Sequence, residues 1–227
     1  QKPVDDSTYH YYLGRDYPVY RGIAINRRLR EMNGITPQDM MALQTDNLDV
    51  CAQMLQPLFL ANIREAELDA AGKKYLDIYR QWNCRNDAGS KGSTVFERWW
   101  HAFEGLVYDD DYAKAPKGSM RPFLSTLVEA ILKDSAYKFL DNVNTPQTET
   151  LADDITAAFK AATAELQKLE AEGRLDWEKY KATRINHLAK LAPLSRLNLP
   201  IGGGNNCINA TKVDHGPSWR MVISLTQ

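Results

Sequence analysis

No stretch of the 227-residue chain reaches the roughly 18–20 consecutive apolar residues that a membrane-spanning helix requires. Nor does one charge dominate: 28 Lys+Arg stand against 29 Asp+Glu, a formal net charge of −1. The basic stripe with which nucleic-acid binders meet phosphates is therefore missing. Neither a nucleic acid nor a membrane span is expected among its partners. Cysteine is scarce as well. Cys51, Cys84 and Cys207 lie far apart with no CxxC and no Cys/His pairing, which argues against zinc. One disulfide stays open, but an odd count builds no disulfide framework. The opening QKPVDDSTYHYY has neither the apolar core of a signal peptide nor the basic character of a transit peptide; without an initiator Met it reads as a processed end or as the cut edge of a longer chain. What remains is 44% hydrophobic and 25% charged residues, the balance of a globular body. A chain of this size buries roughly 70% of its unfolded surface, enough for one large core or two small ones.

The spacing of apolar residues predicts about eight helices. Residues 1–16 read as an extended lead-in. Tyr20, Ile23, Ala24 and Leu29 predict a helix over 18–32 that Asn33-Gly34 ends. Thr36-Pro37-Gln38-Asp39 supplies a hydroxyl cap, a Pro at the first helical position and an acid at the third. Further helices are expected over 49–62, where Pro57 should kink or split the element, and over 66–82. Residues 83–92 read as a loop, after which Ser93 or Thr94 would cap a helix carrying Val95, Phe96, Trp99, Trp100, Phe103 and Leu106. Asp109-Asp110-Asp111 leads into a Lys/Gly/Pro-rich loop over 113–122, and 123–132 forms a short apolar helix. The clearest stripe is Leu151, Ile155, Phe159, Ala162, Leu166 and Leu169, capped at Thr150 with Asp153 and closed by Gly173. Trp177 and residues 180–188 predict one more helix. Beyond Pro193 the pattern changes to a glycine-rich turn over 199–206 and two strand-like runs, 207–211 and 219–225. Two strands alone are marginal, so this hairpin calls for a sheet to join.

Each candidate for chemistry has a plainer reading. Gly202-Gly203-Gly204 lacks the following GK[ST] and helix of a phosphate loop, so it reads as a turn permitting close backbone approach. Asp109–Asp111 lacks the alternating ligands, Gly and terminal Glu of a calcium loop and reads as a solvated turn. His10, His101, His187 and His215 show no i, i+4 pairing. The Trp/Phe stripe over 95–106 reads as core rather than as an exposed substrate wall. Ser218, in GPSWR, does not sit in GxSxG. These residues do not assemble a nucleophile, a base and an oxyanion hole.

Several segments together resemble the penicillin-amidase (penicillin acylase) family of N-terminal-nucleophile hydrolases: Tyr20-Arg21 with Ile25; Thr36 to Asp39; Leu43-Gln44-Thr45-Asp46; 76–82; 96–99; His187; Gly202-Gly203; Ile208-Asn209-Ala210; and 216–223. Residues 107–150 carry least of it. The resemblance implies a precursor that cleaves itself into two chains, the new N-terminal Ser of the larger chain being nucleophile and, through its α-amine, base. An Asn side chain and a backbone N–H would hold the oxyanion. By this alignment that Asn falls just before Gln1, and the chain corresponds to an internal or C-terminal part of the larger chain. Arg21 inherits a supporting role, holding the Asn or the N-terminal amine. Ser218 and Arg220 would belong to the returning strands.

The implied architecture is mainly α with a short C-terminal antiparallel hairpin, part of an αββα fold: lead-in 1–16, helical part 17–197 lining the active-site bowl, and hairpin 198–227 returning to the core sheet. The implied partners are the rest of the precursor and a small acyl-amide substrate, and the implied location is periplasmic or secreted. No cofactor is expected; calcium occurs in some family members, and no ligand for it is assignable to Asp5, Asp6 or Asp16. On this view the 227 residues alone are inactive. The competing reading is a non-catalytic helical interaction module docking through its aromatic stripe.

Overall fold

The computed structural model describes residues 18–214, 216 and 219–224. The expected lead-in over 1–16, His10, His215, Ser218 and Leu225, the last residue of the second expected strand, lie outside the described residues.

Eight α-helices form among the described residues: α1 (Tyr20–Glu31), α2 (Pro37–Gln44), α3 (Val50–Asn62), α4 (Ala70–Arg80), α5 (Lys91–Tyr112), α6 (Leu124–Lys133), α7 (Leu151–Ala171) and α8 (Trp177–Lys181). Local chemistry fixes several of their starts. Thr36 accepts a bond from the Asp39 N–H while the Asp39 carboxylate accepts from the Thr36 N–H, and Thr150 with Asp153 repeats the arrangement at α7. Each box satisfies amide donors that a helix start leaves unpaired.

The long helices α5 and α7 lie side by side, and α3 and α4 close over them. Trp99 is the hub. Its ring centroid is 4.4 Å from Phe159, 4.8 Å from Phe59 and 5.0 Å from Tyr79, and its indole N–H donates to the Ile155 carbonyl at 2.9 Å. All four rings are fully buried. The aromatic stripe of α5 is thus core, with Phe96, Trp99, Trp100 and Phe103 all inside. This removes the docking surface on which the interaction-module reading relied.

Several boundaries differ from expectation. The helix over 66–82 is shorter, because the Asp69 carboxylate caps a new start by accepting from the Gly72 N–H at 2.7 Å; only a 3-10 turn, Glu65–Glu67, precedes it. Ser90, not Ser93 or Thr94, caps α5, leaving those two buried within it. Asp109–Asp111 is not a turn but the end of α5. Pro57 neither splits nor ends α3. The helix expected through 188 stops at Lys181, where Ala182 adopts a left-handed conformation (φ +48°). Beyond it Ile185 and Arg196 exchange both backbone hydrogen bonds as an isolated antiparallel bridge.

The hairpin expected over 198–227 is not formed among the described residues. Residues 205–209 are a turn, and 219–224 run without a ladder partner. The physical reason is competition: the Gly203 N–H donates to Asn86 and the Asn209 N–H to Asp46, so these amides are satisfied by the helical body.

Candidate functional site

Arg21, the one site residue that the resemblance implies, is exposed in the first turn of α1. Only Tyr20 and Ala24 of that helix are buried, a thin apolar anchor for twelve residues. Polar bonds supply the rest. Arg27 donates to the Gln53 side chain of α3 at 3.1 Å, and Arg28 Nε donates to Asp46 Oδ2 at 3.0 Å.

Asp46, between α2 and α3, is the junction of this region. Its side chain is 8% exposed. Besides Arg28 it accepts from Arg85 Nη1 at 2.8 Å and from the Leu48 N–H at 3.1 Å. Burial alone would raise its pKa, but the Leu48 N–H and the Arg85 and Arg28 guanidinium groups outweigh it and hold the carboxyl below its ordinary value. Nearby Asp49 caps α3 through the Ala52 N–H and meets the Asn86 amide at 3.3 Å. There burial prevails and raises the carboxyl.

The triglycine turn closes over this junction. Gly203 has φ +85°, and a Cβ there would lie 2.2 Å from the Asn209 carbonyl oxygen. Close backbone approach, rather than phosphate binding, is what the glycines permit. The Lys181 ammonium donates to the Gly202 and Gly203 carbonyls, and the Trp177 indole N–H donates to the latter at 2.7 Å. Burial pulls the Lys181 pKa down to about 8. Asn209 continues the knot, donating to Asn47 at 2.8 Å and accepting from Arg220. Arg220 therefore ties the C-terminal segment to the body, consistent with a structural role.

The remaining candidates do not converge. His101 is exposed on α5; His187 is half-buried, its ring accepting from the Ala189 N–H. Cys51, Cys84 and Cys207 are free and buried, and burial, the largest cause at each, raises all three thiols, Cys84 to about 12. Thiols so held are poor nucleophiles. A cleft of about 430 Å³ between α5 and α7 mixes Arg98, His101, Glu104, Asp109 and Arg121, with Arg98 paired to Glu165 and Arg121 to Asp109. Among the described residues no hydroxyl or thiol is hydrogen-bonded to a His ring. Thr36 and Thr150, which meet carboxylates, are helix caps. Nor do three or more His, Cys, Asp or Glu side chains of the described residues stand where they would share a metal ion. No described helix is long and apolar enough to cross a membrane.

Sequence reasoning missed the Asp46 junction and Lys181. Asp46 lay inside a quoted family segment, which was the available signal; Lys181 had none.

A family model described as Penicillin amidase matches residues 1–227. No curated protein matches the chain.

Proposed function

The chain belongs to the penicillin amidase family, a family of hydrolases, and from that premise we propose that it is the helical part of the larger chain of an acyl-amide hydrolase whose N-terminal Ser lies elsewhere in the same precursor. The family match across all 227 residues carries this reading. In the proposed mechanism the α-amine of the nucleophilic Ser, with an ordinary pKa of about 8, takes the hydroxyl proton as Oγ attacks the acyl carbon. An Asn side chain and a backbone N–H stabilise the oxyanion. The amine product leaves with a proton, and water then releases the acyl group. Arg21, exposed at the start of α1, holds the Asn or the amine in geometry.

Residues 198–227 would complete the core sheet of the parent. Trp219, Met221 and Ile223 alternate along 219–224 and are all exposed, the period-two apolar face of a strand awaiting a neighbour. A periplasmic or secreted location belongs to the same proposal.

The test compares the 227-residue chain with the complete precursor on chromogenic phenylacetyl and long-chain acyl amides. The isolated chain should give no turnover and the processed precursor should turn over. In the latter, Arg21→Ala should lower kcat about a hundredfold, the scale of misplacing a reacting group by an ångström. Sustained hydrolysis by the isolated chain, or a processed precursor inert on every acyl amide, would refute the reading.

A further inference from the structure

Asp46 touches nothing that reacts, yet it fixes the helix that carries Arg21. We infer that Asp46 is a positioning residue for Arg21, acting through Arg28; the inference rests on the role proposed for Arg21 above. Arg21 and Arg28 are seven residues apart on α1. Two turns of helix bring them back to within about 20° of one stripe, separated by about 10 Å along the axis. Fixing the Arg28 end of that stripe therefore sets the angle and height at which Arg21 is presented.

The apolar contact cannot do this alone. With Tyr20 and Ala24 buried, Ile23 half-buried against the core and Arg27 bonded to Gln53 of α3, α1 has a narrow anchor against rotation or sliding. Asp46 resists both because it is itself immobilised. Arg85 and the Leu48 N–H hold Oδ1, while Oδ2 is left for Arg28. Its own carbonyl accepts from the Asn209 N–H at 3.0 Å. The α4–α5 loop and the α2–α3 turn thus meet at one carboxylate, the segment after the triglycine turn bonds the backbone of the same residue, and α1 is referenced to all three.

The experiment is a double-mutant cycle on the complete, processed enzyme with a chromogenic acyl amide. Arg28→Gln cuts the bond from α1 to Asp46 but leaves the Arg85 pair and the Arg27–Gln53 bond, and Arg28 is 40% exposed, so the fold tolerates it; Asp46→Asn is the companion. Each should lower kcat on the order of 10- to 100-fold with KM within about twofold, and Arg28→Lys should restore part of the loss. In an Arg21→Ala background the same changes should move kcat by less than about twofold, because the group being positioned is gone. Equal losses in both backgrounds would overturn the inference and leave the role of Arg21 standing, as would an unchanged kcat for Arg28→Gln when Arg21→Ala is impaired. An Arg21→Ala enzyme with full kcat would overturn both readings.

Discussion

Lys181 donates to the Thr211 hydroxyl across 2.5 Å, and Thr211 in turn donates to the Gly202 carbonyl at 2.8 Å. One ammonium therefore joins the end of α8 to both sides of the triglycine turn. The Gly202 and Gly203 carbonyls each keep a second donor, Thr211 and Trp177.

Lys181→Met should accordingly destabilise the chain without unfolding it. Loss of a charge-assisted bond costs roughly 1.5–3 kcal/mol, and the surviving donors limit the damage. Urea unfolding measures the cost. Hydrogen exchange should show faster exchange first at Asn209 and its neighbours; a change confined to α5 and α7 would contradict the tie.

Two glycines with positive φ offer a controlled contrast. At Gly203 an added Cβ meets the Asn209 carbonyl oxygen at 2.2 Å, whereas at Gly34 (φ +62°) it meets nothing within 4 Å. Gly34→Ala should cost about 1–2 kcal/mol, the left-handed penalty alone. Gly203→Ala adds overpacking against backbone, for a total of roughly 2–5 kcal/mol. Equal denaturation midpoints for the two variants would show that the turn relaxes freely.

Legibility followed locality. The boxes at Thr36 and Thr150 could be read because both partners lie three residues apart, and the α5 stripe because its period is helical. The Asp46 junction could not, since Arg28 and Arg85 are 18 and 39 residues away. The end of α8 was hidden for a similar reason. Ala182 is left-handed in a segment held by distant partners: the Thr183 hydroxyl donates to the Lys212 carbonyl and its own carbonyl accepts from Leu199. Helix propensity favours continuing, and tertiary bonding overrides it. The β-like composition of 207–211 is genuine, but composition does not say whether a sheet edge is there to receive it.

Asp154, in the first turn of α7, carries a pH signature. It is 5% exposed with Oδ2 unpartnered. Burial, then the charges of Glu149, Asp153 and Asp110, raise its pKa from 3.8 to about 7. Between those values the folded chain keeps a proton that the unfolded chain has lost, so this group's contribution to stability falls as pH rises through that window. Asp154→Asn cannot ionise. It should raise Tm by about 4 °C or more at pH 8, and by much less at pH 5. Identical gains at both values would exclude the carboxylate as the cause.

Pro57 sits inside α3 and faces solvent. It has no N–H for the Gln53 carbonyl four residues back, and an interior proline costs about 3 kcal/mol relative to alanine. Against this, proline restricts the unfolded chain and returns up to about 1 kcal/mol. The first effect is larger, so Pro57→Ala should raise stability by roughly 1–2 kcal/mol, read as a higher urea midpoint with an unchanged slope. Because the ring is exposed, its removal opens no cavity that would offset the gain. A lower midpoint would mean that Pro57 stabilises α3 by more than its missing N–H costs.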